Sequence, residues 1–222
     1  MNRPDEPLDA GLHLLDRQVA DSHGRMVCKV DDLELRQYDD GSLAVTALLA
    51  GAVVLVPRLG GRIGRRLERF WDELGIQQAD RGHPFRIDLA EVQDLGSDVT
   101  LVSDRHRLLR REPEDGNRRL SQLQGMAVTG PDGRLGRVID VRLEPTRHPD
   151  RRLRVVSLLV GRGRPGSFLG YDRHEEQGPW LLARLVRWLH RHSVVVPWDQ
   201  VEAIDWDDTR EVRCSRSGTA TR

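Results

Sequence analysis

Residues 125–141 read GMAVTGPDGRLGRVIDV, and a related stretch, DRQVADSHGRMVCKVDDL, occupies residues 16–33. Asp132-Gly133 in the later stretch and His23-Gly24 in the earlier one each place a glycine in a tight turn, because glycine adopts positive φ without steric strain. Each turn joins a short strand to a second one. A strand–turn–strand unit that occurs twice decides the fold class of this chain.

The similarity between the two halves continues beyond this unit. The paired blocks keep the same order and lie between 108 and 110 residues apart. They are Lys29–Leu35 with Arg137–Leu143, Val45–Gly51 with Val155–Gly161, Leu59–Gly60 with Leu169–Gly170, and Leu89–Leu95 with Trp198–Ile204. Because several blocks recur at nearly constant spacing, the sequence predicts an internal duplication.

Short apolar segments separated by turns predict antiparallel strands rather than alternating strands and helices. The fold class predicted is therefore mainly β with α insertions, as two small antiparallel β-barrels in tandem, each with one amphipathic helix. The predicted strands include Leu43–Ala50, Leu135–Leu143, Arg154–Val160, Val194–Trp198 and Glu211–Cys214.

The predicted helix of the first repeat carries an apolar stripe and arginines on its other faces. The stripe consists of Ile63, Leu67, Phe70, Trp71 and Leu74, and the arginines are Arg62, Arg65, Arg66 and Arg69. We expect the stripe to cap the open end of its own barrel. A helix that docks a partner or lies on a membrane surface is the alternative.

The second repeat repeats this pattern. Its stripe consists of Leu181, Leu185, Trp188 and Leu189, with Arg184, Arg187 and Arg191 on the opposite side. The seven arginines of the two helices are the candidate partner-binding residues.

Changes in composition predict the domain boundaries. Residues 12–104 form the first repeat, 105–119 a charged linker, and 120–214 the second repeat. Residues 1–11 and the Ser/Thr/Arg-rich tail 215–222 are predicted to be disordered.

The charge balance argues against a general polyanion binder. Among 222 residues there are 35 basic and 35 acidic ones, which gives a formal net charge of zero. Arginine accounts for 34 of the basic residues, which indicates either phosphate or carboxylate recognition or a GC-rich genome. A signal peptide and a long apolar span are both lacking, so we expect a soluble, cytoplasmic protein.

One motif resembles a dinucleotide-binding fingerprint. Residues Gly161–Gly166 spell GxGxxG after a predicted strand. The fingerprint requires its last glycine to open a helix, but Pro165 and a further loop intervene. No acidic residue follows at the expected distance, so we expect a loop and no cofactor.

Other candidate sites are weak by the same reasoning. His190 and His192 do not share a helical face, and the segment His174–Glu176 is typical of a solvated loop. Asp205–Asp208 lacks the spacing of a calcium loop and is better explained as a turn between two strands. Cys28 and Cys214 lie in unlike contexts without a CxxC pair. We therefore predict no metal, no catalytic residues and no enzymatic activity.

Asp32 and Asp140 recur at equivalent positions of the two repeats. A single carboxylate per repeat lacks the partner that acid–base catalysis needs.

The second repeat resembles the PRC-barrel family. The resemblance lies in Gly125–Val128, the turn and strand Asp132–Val141, Val155–Val160, and the segment Val196–Ile204, which reads VPWDQVEAI. It covers residues 120–214 well. It covers residues 14–102 less well, because Cys28 replaces a glycine and Ile87-Asp88-Leu89 stands where Val-Pro-Trp is expected.

The family takes its name from a domain of the photosynthetic reaction-centre H subunit and includes part of a ribosome maturation factor. The resemblance implies a small adaptor module that binds other proteins and is often dimeric; the arginine-rich style is similar to actinobacterial members. We therefore expect a non-catalytic scaffold with a protein partner. RNA or ribosome maturation is the alternative, against which the neutral charge weighs.

Overall fold

The computed structural model describes residues 7–51, 85–96, 98–103, 116–146, 153–161, 193–215 and 219–220. These residues are mainly in β-strands, as predicted, and one of their sheets is a half-barrel. The chain divides into two compact units, which consist of residues 1–121 with 143–155, and of residues 122–142 with 156–222.

The described elements of residues 7–119 are short. In chain order they are β1 (Leu8–Asp9), α1 (Ala10–His13), β2 (Gln18–Ala20), β3 (Met26–Lys29), β4 (Asp32–Gln37), β5 (Leu43–Ala50), β6 (Phe85–Asp88), a 3-10 helix (Leu89–Glu91), β7 (Val92–Leu95), β8 (Val99–Leu101) and β9 (Arg118–Arg119).

The elements that follow repeat this series with longer strands. They are α2 (Leu120–Leu123), β10 (Ala127–Gly130), β11 (Gly133–Pro145), β12 (Leu153–Gly161), β13 (Ser193–Pro197), a 3-10 helix (Trp198–Gln200), β14 (Val201–Asp205), β15 (Glu211–Cys214) and β16 (Thr219–Ala220).

Strand β5 is the centre of the first unit. One of its edges pairs with β4 over six antiparallel positions. Its other edge pairs with β6 between Ala47 and Ala50, and with β12 where Leu153 lies opposite Val45. Since the side chains of β5 alternate between two covered faces, nearly the whole strand is buried.

A second sheet of the first unit has the order β3-β2-β8-β7. Strand β2 is antiparallel to β3 and parallel to β8. In the second unit β10 is likewise antiparallel to β11 and parallel to β15, and β15 is antiparallel to β14 as β8 is to β7.

Local irregularities of the strands recur at the same spacing. The pairing register shifts after Val19 in β2 and after Val128 in β10, and again after Val92 in β7 and Val201 in β14. Both pairs are separated by 109 residues. A bulge adds a local kink and twist, so the two halves share details of backbone shape as well as strand order.

The predicted turns have the expected backbone. Gly24 and Gly133 have φ of 74° and 109°, which confirms the prediction of positive φ in both. Strands β5 and β15 begin and end where they were predicted.

Other boundaries differ from the predictions. Strand β13 ends at Pro197, because Trp198 begins a 3-10 helix. The predicted strands Val194–Trp198 and Glu211–Cys214 have a further strand between them, β14, which was not predicted. Brief strands of this kind give little periodicity in the sequence.

Order extends further toward both ends than predicted. Leu8 and Ala10 are buried, in β1 and α1, although residues 1–11 were predicted to be disordered. Within the tail, β16 pairs with β13. Backbone pairing stabilises segments whose composition alone indicates disorder.

The last residues of the predicted linker, residues 105–119, also form a strand. Arg118 and Arg119 form β9 and pair with Leu35 and Glu34 of β4. The amphipathic helices predicted around residues 63–74 and 181–191 lie outside the described residues.

Candidate functional site

An ion pair is buried between strands β4 and β6 of the first unit. The Arg86 Nε donates to both carboxylate oxygens of Glu34, at 3.0 and 3.1 Å, and its Nη2 donates to Oε1 at 2.9 Å. The side chains are 5% and 1% exposed, respectively. Such a planar, charge-assisted contact is the strongest class of side-chain hydrogen bond.

Further polar groups complete this cluster. Thr46 Oγ1 donates to Glu34 Oε1 at 2.8 Å, and Asn117 Nδ2 donates to the same oxygen at 3.0 Å. On the opposite side, Arg86 Nη1 donates to Asp88 Oδ2 at 3.3 Å. We call Glu34, Thr46, Arg86, Asp88 and Asn117 the Glu34 cluster.

The strand register brings these residues together. Glu34 and Asp88 both lie opposite Ala47, on β4 and β6 respectively. Residues opposite one another share a face of the sheet. Arg86 lies two positions from Asp88 on the same face, and the short Ala47 side chain leaves room for its guanidinium to reach Glu34.

The ion pair belongs to the first repeat. In the alignment of the two halves, Arg142 corresponds to Glu34 and Val195 to Arg86. Those two residues cannot form an equivalent pair. The repeats therefore differ in chemistry at a place where their strands correspond.

The hydrogen bonds of the Glu34 cluster stabilise the packing of the strands. The Glu34 carboxylate already accepts hydrogen bonds from three side chains. A carboxylate engaged in this way holds β4 and β6 together across β5 and is shielded from a reacting group. A buried pair of this kind also favours one strand arrangement, because a shifted register would leave both charges uncompensated.

The recurrent aspartates, Asp32 and Asp140, have the same local contact. Each accepts a hydrogen bond at Oδ1 from the next residue's N–H, at 2.8 Å. Asp32 also accepts from the Ser121 N–H at 3.1 Å. These carboxylates stabilise the local backbone at the start of β4 and in the middle of β11.

Both cysteines are free thiols with weak acidity. Burial, and to a lesser degree the Asp31 carboxylate, raise the pKa of Cys28 to about 11. Burial and the Glu202 carboxylate do the same for Cys214, whose pKa is also about 11. Since the thiolate is the reactive form, both side chains are poor nucleophiles at neutral pH.

The acidic segment after β14 is a loop closed by Asp205. The carboxylate of Asp205 accepts from the N–H groups of Asp207, Asp208 and Thr209, and from the Thr209 hydroxyl at 2.8 Å. These hydrogen bonds, those from Thr209 above all, lower the pKa of Asp205 to about 2. The sequence-based interpretation as a turn is confirmed.

The candidate partner-binding arginines of the sequence, Arg62, Arg65, Arg66, Arg69, Arg184, Arg187 and Arg191, lie outside the described residues. The same holds for the loop after Gly161 and for the histidines of residues 174 and 190–192. Among the described residues no group of acidic, histidine or cysteine side chains is arranged to hold a metal ion. In that same part of the chain, no helix is long and apolar enough to cross a membrane.

Sequence reasoning missed the Glu34 cluster. The signal was a charged residue between two apolar residues on each of two strands, as in Leu33-Glu34-Leu35 and Phe85-Arg86-Ile87. Because the two residues are 52 positions apart, only the pairing of both strands with β5 shows that they meet.

Comparison with known proteins adds no identification. The sequence matches neither a protein-family profile nor a curated protein.

Proposed function

We propose that this chain is a non-catalytic scaffold built from two PRC-type barrels in tandem, and that it binds a protein partner. The recurrence of strand order, bulges and turns in the two halves is the observation that carries the proposal. It agrees with the resemblance of residues 120–214 to the PRC-barrel pattern, whose glycines and apolar residues shape a barrel.

The described polar groups support a structural role. The Glu34 cluster, Asp32, Asp140 and Asp205 all use their polar atoms to hold strands and turns. The high thiol pKa of Cys28 and Cys214 disfavours nucleophilic chemistry at neutral pH. A fold whose polar side chains hold strands and turns in place is suited to offering a rigid surface to a binding partner.

Capture of partners after crosslinking in native cells tests the proposal. Two charge-reversed variants are compared with the unmodified chain, one with Arg62, Arg65, Arg66 and Arg69 changed to Glu, the other with Arg184, Arg187 and Arg191 changed to Glu. The double variant Arg134→Glu/Arg213→Glu is the matched control, because both residues are exposed in the described part of the chain.

We expect a reproducible protein partner whose recovery falls at least about tenfold in one of the two arginine variants and not in the control. Recovery that is equal in all variants would show that the arginines do not bind the partner. If no protein is captured reproducibly, the scaffold function itself is wrong.

An RNA-associated function is the second candidate, favoured by the abundance of arginine. Binding through arginine–phosphate contacts weakens steeply with salt, by a factor of about 10³–10⁵ between 50 and 200 mM for six to ten contacts. Affinity for structured RNA that is unchanged across this range would exclude that mechanism.

A further inference from the structure

The end of the predicted linker is fastened to strand β4. Arg118 and Arg119 pair with Leu35 and Glu34. On either side of this two-residue pairing lies a side-chain contact. Asn117 Nδ2 donates to Glu34 Oε1 at 3.0 Å, and the Ser121 N–H donates to Asp32 Oδ1 at 3.1 Å.

We propose that residues 117–121, which we call the clasp, detach from β4 and pair with it again while the rest of the unit stays folded. The Glu34 carboxylate, which accepts the hydrogen bond from Asn117, holds the clasp closed and is called its catch. This inference concerns a conformational device in the fold and holds whether or not the scaffold function is correct.

The backbone pairing of the clasp is shorter than that of the strand it lies on. Strand β9 pairs with β4 at two positions, whereas β5 pairs with β4 at six. Asn117, Arg118 and Arg119 are half-buried, and Leu120 is the fully buried anchor. Segments with few buried contacts and partly exposed backbone open with a smaller free energy than the core.

A hinge lies directly before the clasp. Gly116 has a φ of 84°, and the space where a Cβ would lie is open within 4 Å. Glycine reaches many backbone conformations at low steric cost. Rotation at Gly116 therefore meets little steric resistance, and Leu120 is the one fully buried side chain of the clasp that must leave its contacts when the clasp opens.

The catch itself stays in place when the clasp opens. Three hydrogen bonds from Arg86 and one from Thr46 hold Glu34 independently of Asn117. Closing therefore requires the ordering of the clasp alone. An open clasp uncovers the edge of β4 at Glu34 and Leu35, where an extended segment finds free backbone groups.

Native-state hydrogen exchange of the full chain tests the proposal. In the unmodified protein, amides of residues 118–121 should exchange at least about tenfold faster than those of β5, with a rate nearly independent of low guanidinium concentrations. Exchange of both segments at one rate, with the same denaturant dependence, would overturn the proposal because the clasp would then open only on global unfolding.

The variant Asn117→Asp tests the catch by placing a carboxylate beside Glu34. We expect amides 118–121 to exchange at least about tenfold faster than in the unmodified chain, while those of β5 keep their rates. The control Gln93→Glu adds the same charge at an exposed position of β7 and should change neither. Equal acceleration in β5, or none at 118–121, would contradict a local clasp with Glu34 as its catch.

The milder variant Asn117→Ala removes the hydrogen bond without adding charge and serves if Asn117→Asp folds poorly. An acceleration of at least about threefold, confined to residues 118–121, is expected. Unchanged exchange there would show that Glu34 does not hold the clasp.

Discussion

At the scale of single residues, buried polar groups determine how strongly one pairing register of the strands is favoured over others. Arg86 and Glu34 are buried next to the apolar residues Leu33, Leu35 and Ile87, and each charge is compensated by the other. Replacing both with apolar residues removes two desolvation costs, whereas removing one leaves an uncompensated charge. The contribution of the ion pair to the free energy of unfolding is therefore seen when only one of its two residues is replaced.

The variant Glu34→Ala should lower the free energy of unfolding by about 3–5 kcal/mol, because it leaves the Arg86 guanidinium buried without its main partner. The double variant Glu34→Leu/Arg86→Val should cost less than the sum of the single changes Glu34→Leu and Arg86→Val. Chemical denaturation measures all four variants. The control Glu144→Ala, at an exposed residue, should stay within about 0.5 kcal/mol, and additive costs would contradict coupling between Glu34 and Arg86.

The thiols should be slow to react. A pKa of about 11 instead of the ordinary 9.0 leaves Cys28 and Cys214 with roughly a hundredfold less thiolate at pH 8. We expect alkylation by iodoacetamide in the folded protein to be slower than in the unfolded chain by about that factor. Rates that match those of a free cysteine would show that the thiols are neither buried nor close to carboxylates.

Asp205 should make its loop sensitive to acid. Its pKa is lowered from 3.8 to about 2 in the folded chain, so its stabilising effect is fully present above about pH 4 and is lost as the pH falls toward 2. The variant Asp205→Asn should lower Tm at pH 6, and the difference from the unmodified chain should shrink below pH 4. Asp208→Asn is the control, and a difference in Tm that does not vary with pH would contradict this role of Asp205.

At the scale of elements, the two repeats differ where β11 meets β12. A Cβ at Gly136 would lie 2.6 Å from the backbone oxygen of Gly161. Because backbone atoms cannot yield as a flexible side chain does, this position requires glycine. Cys28 occupies the corresponding position of the first repeat. The glycine equivalent to Gly161 is Gly51, and a Cβ built at Gly51 meets nothing within 4 Å.

The variant Gly136→Ala should therefore destabilise the protein by about 1–3 kcal/mol, as forced overpacking does. The matched change in the first repeat, Cys28→Ala, keeps a Cβ that the site already accommodates and should cost less. Thermal unfolding compares the two. Equal effects would mean that the close strand approach is not what distinguishes the repeats.

At the scale of the molecule, the first unit depends on residues distant in sequence. Residues 143–155 belong to it, and Leu153 and Arg154 pair with β5 at Val45 and Ala44. A chain that ends after the first repeat would lose this pairing as well as β9. Unpaired edges of apolar strands favour aggregation.

A truncated chain of residues 1–115 should therefore unfold without a sharp transition and form aggregates in size-exclusion chromatography. Extension to residue 155 should restore part of the cooperativity, because it supplies β9 and the strand segment beside β5. A compact, cooperatively folding chain of residues 1–115 would show that the first repeat is independent of these segments.

The sequence by itself determined the β-rich class, the two glycine turns and the correspondence of several blocks in the two halves, because these follow from local backbone preferences and from blocks compared at a fixed spacing. It did not place β14, β16 or β1, because two to five residues carry too little periodicity to predict a strand. Only the tertiary structure decided that Glu34 meets Arg86 and that the linker end pairs with β4. Both depend on register between strands tens of residues apart, which no local pattern encodes.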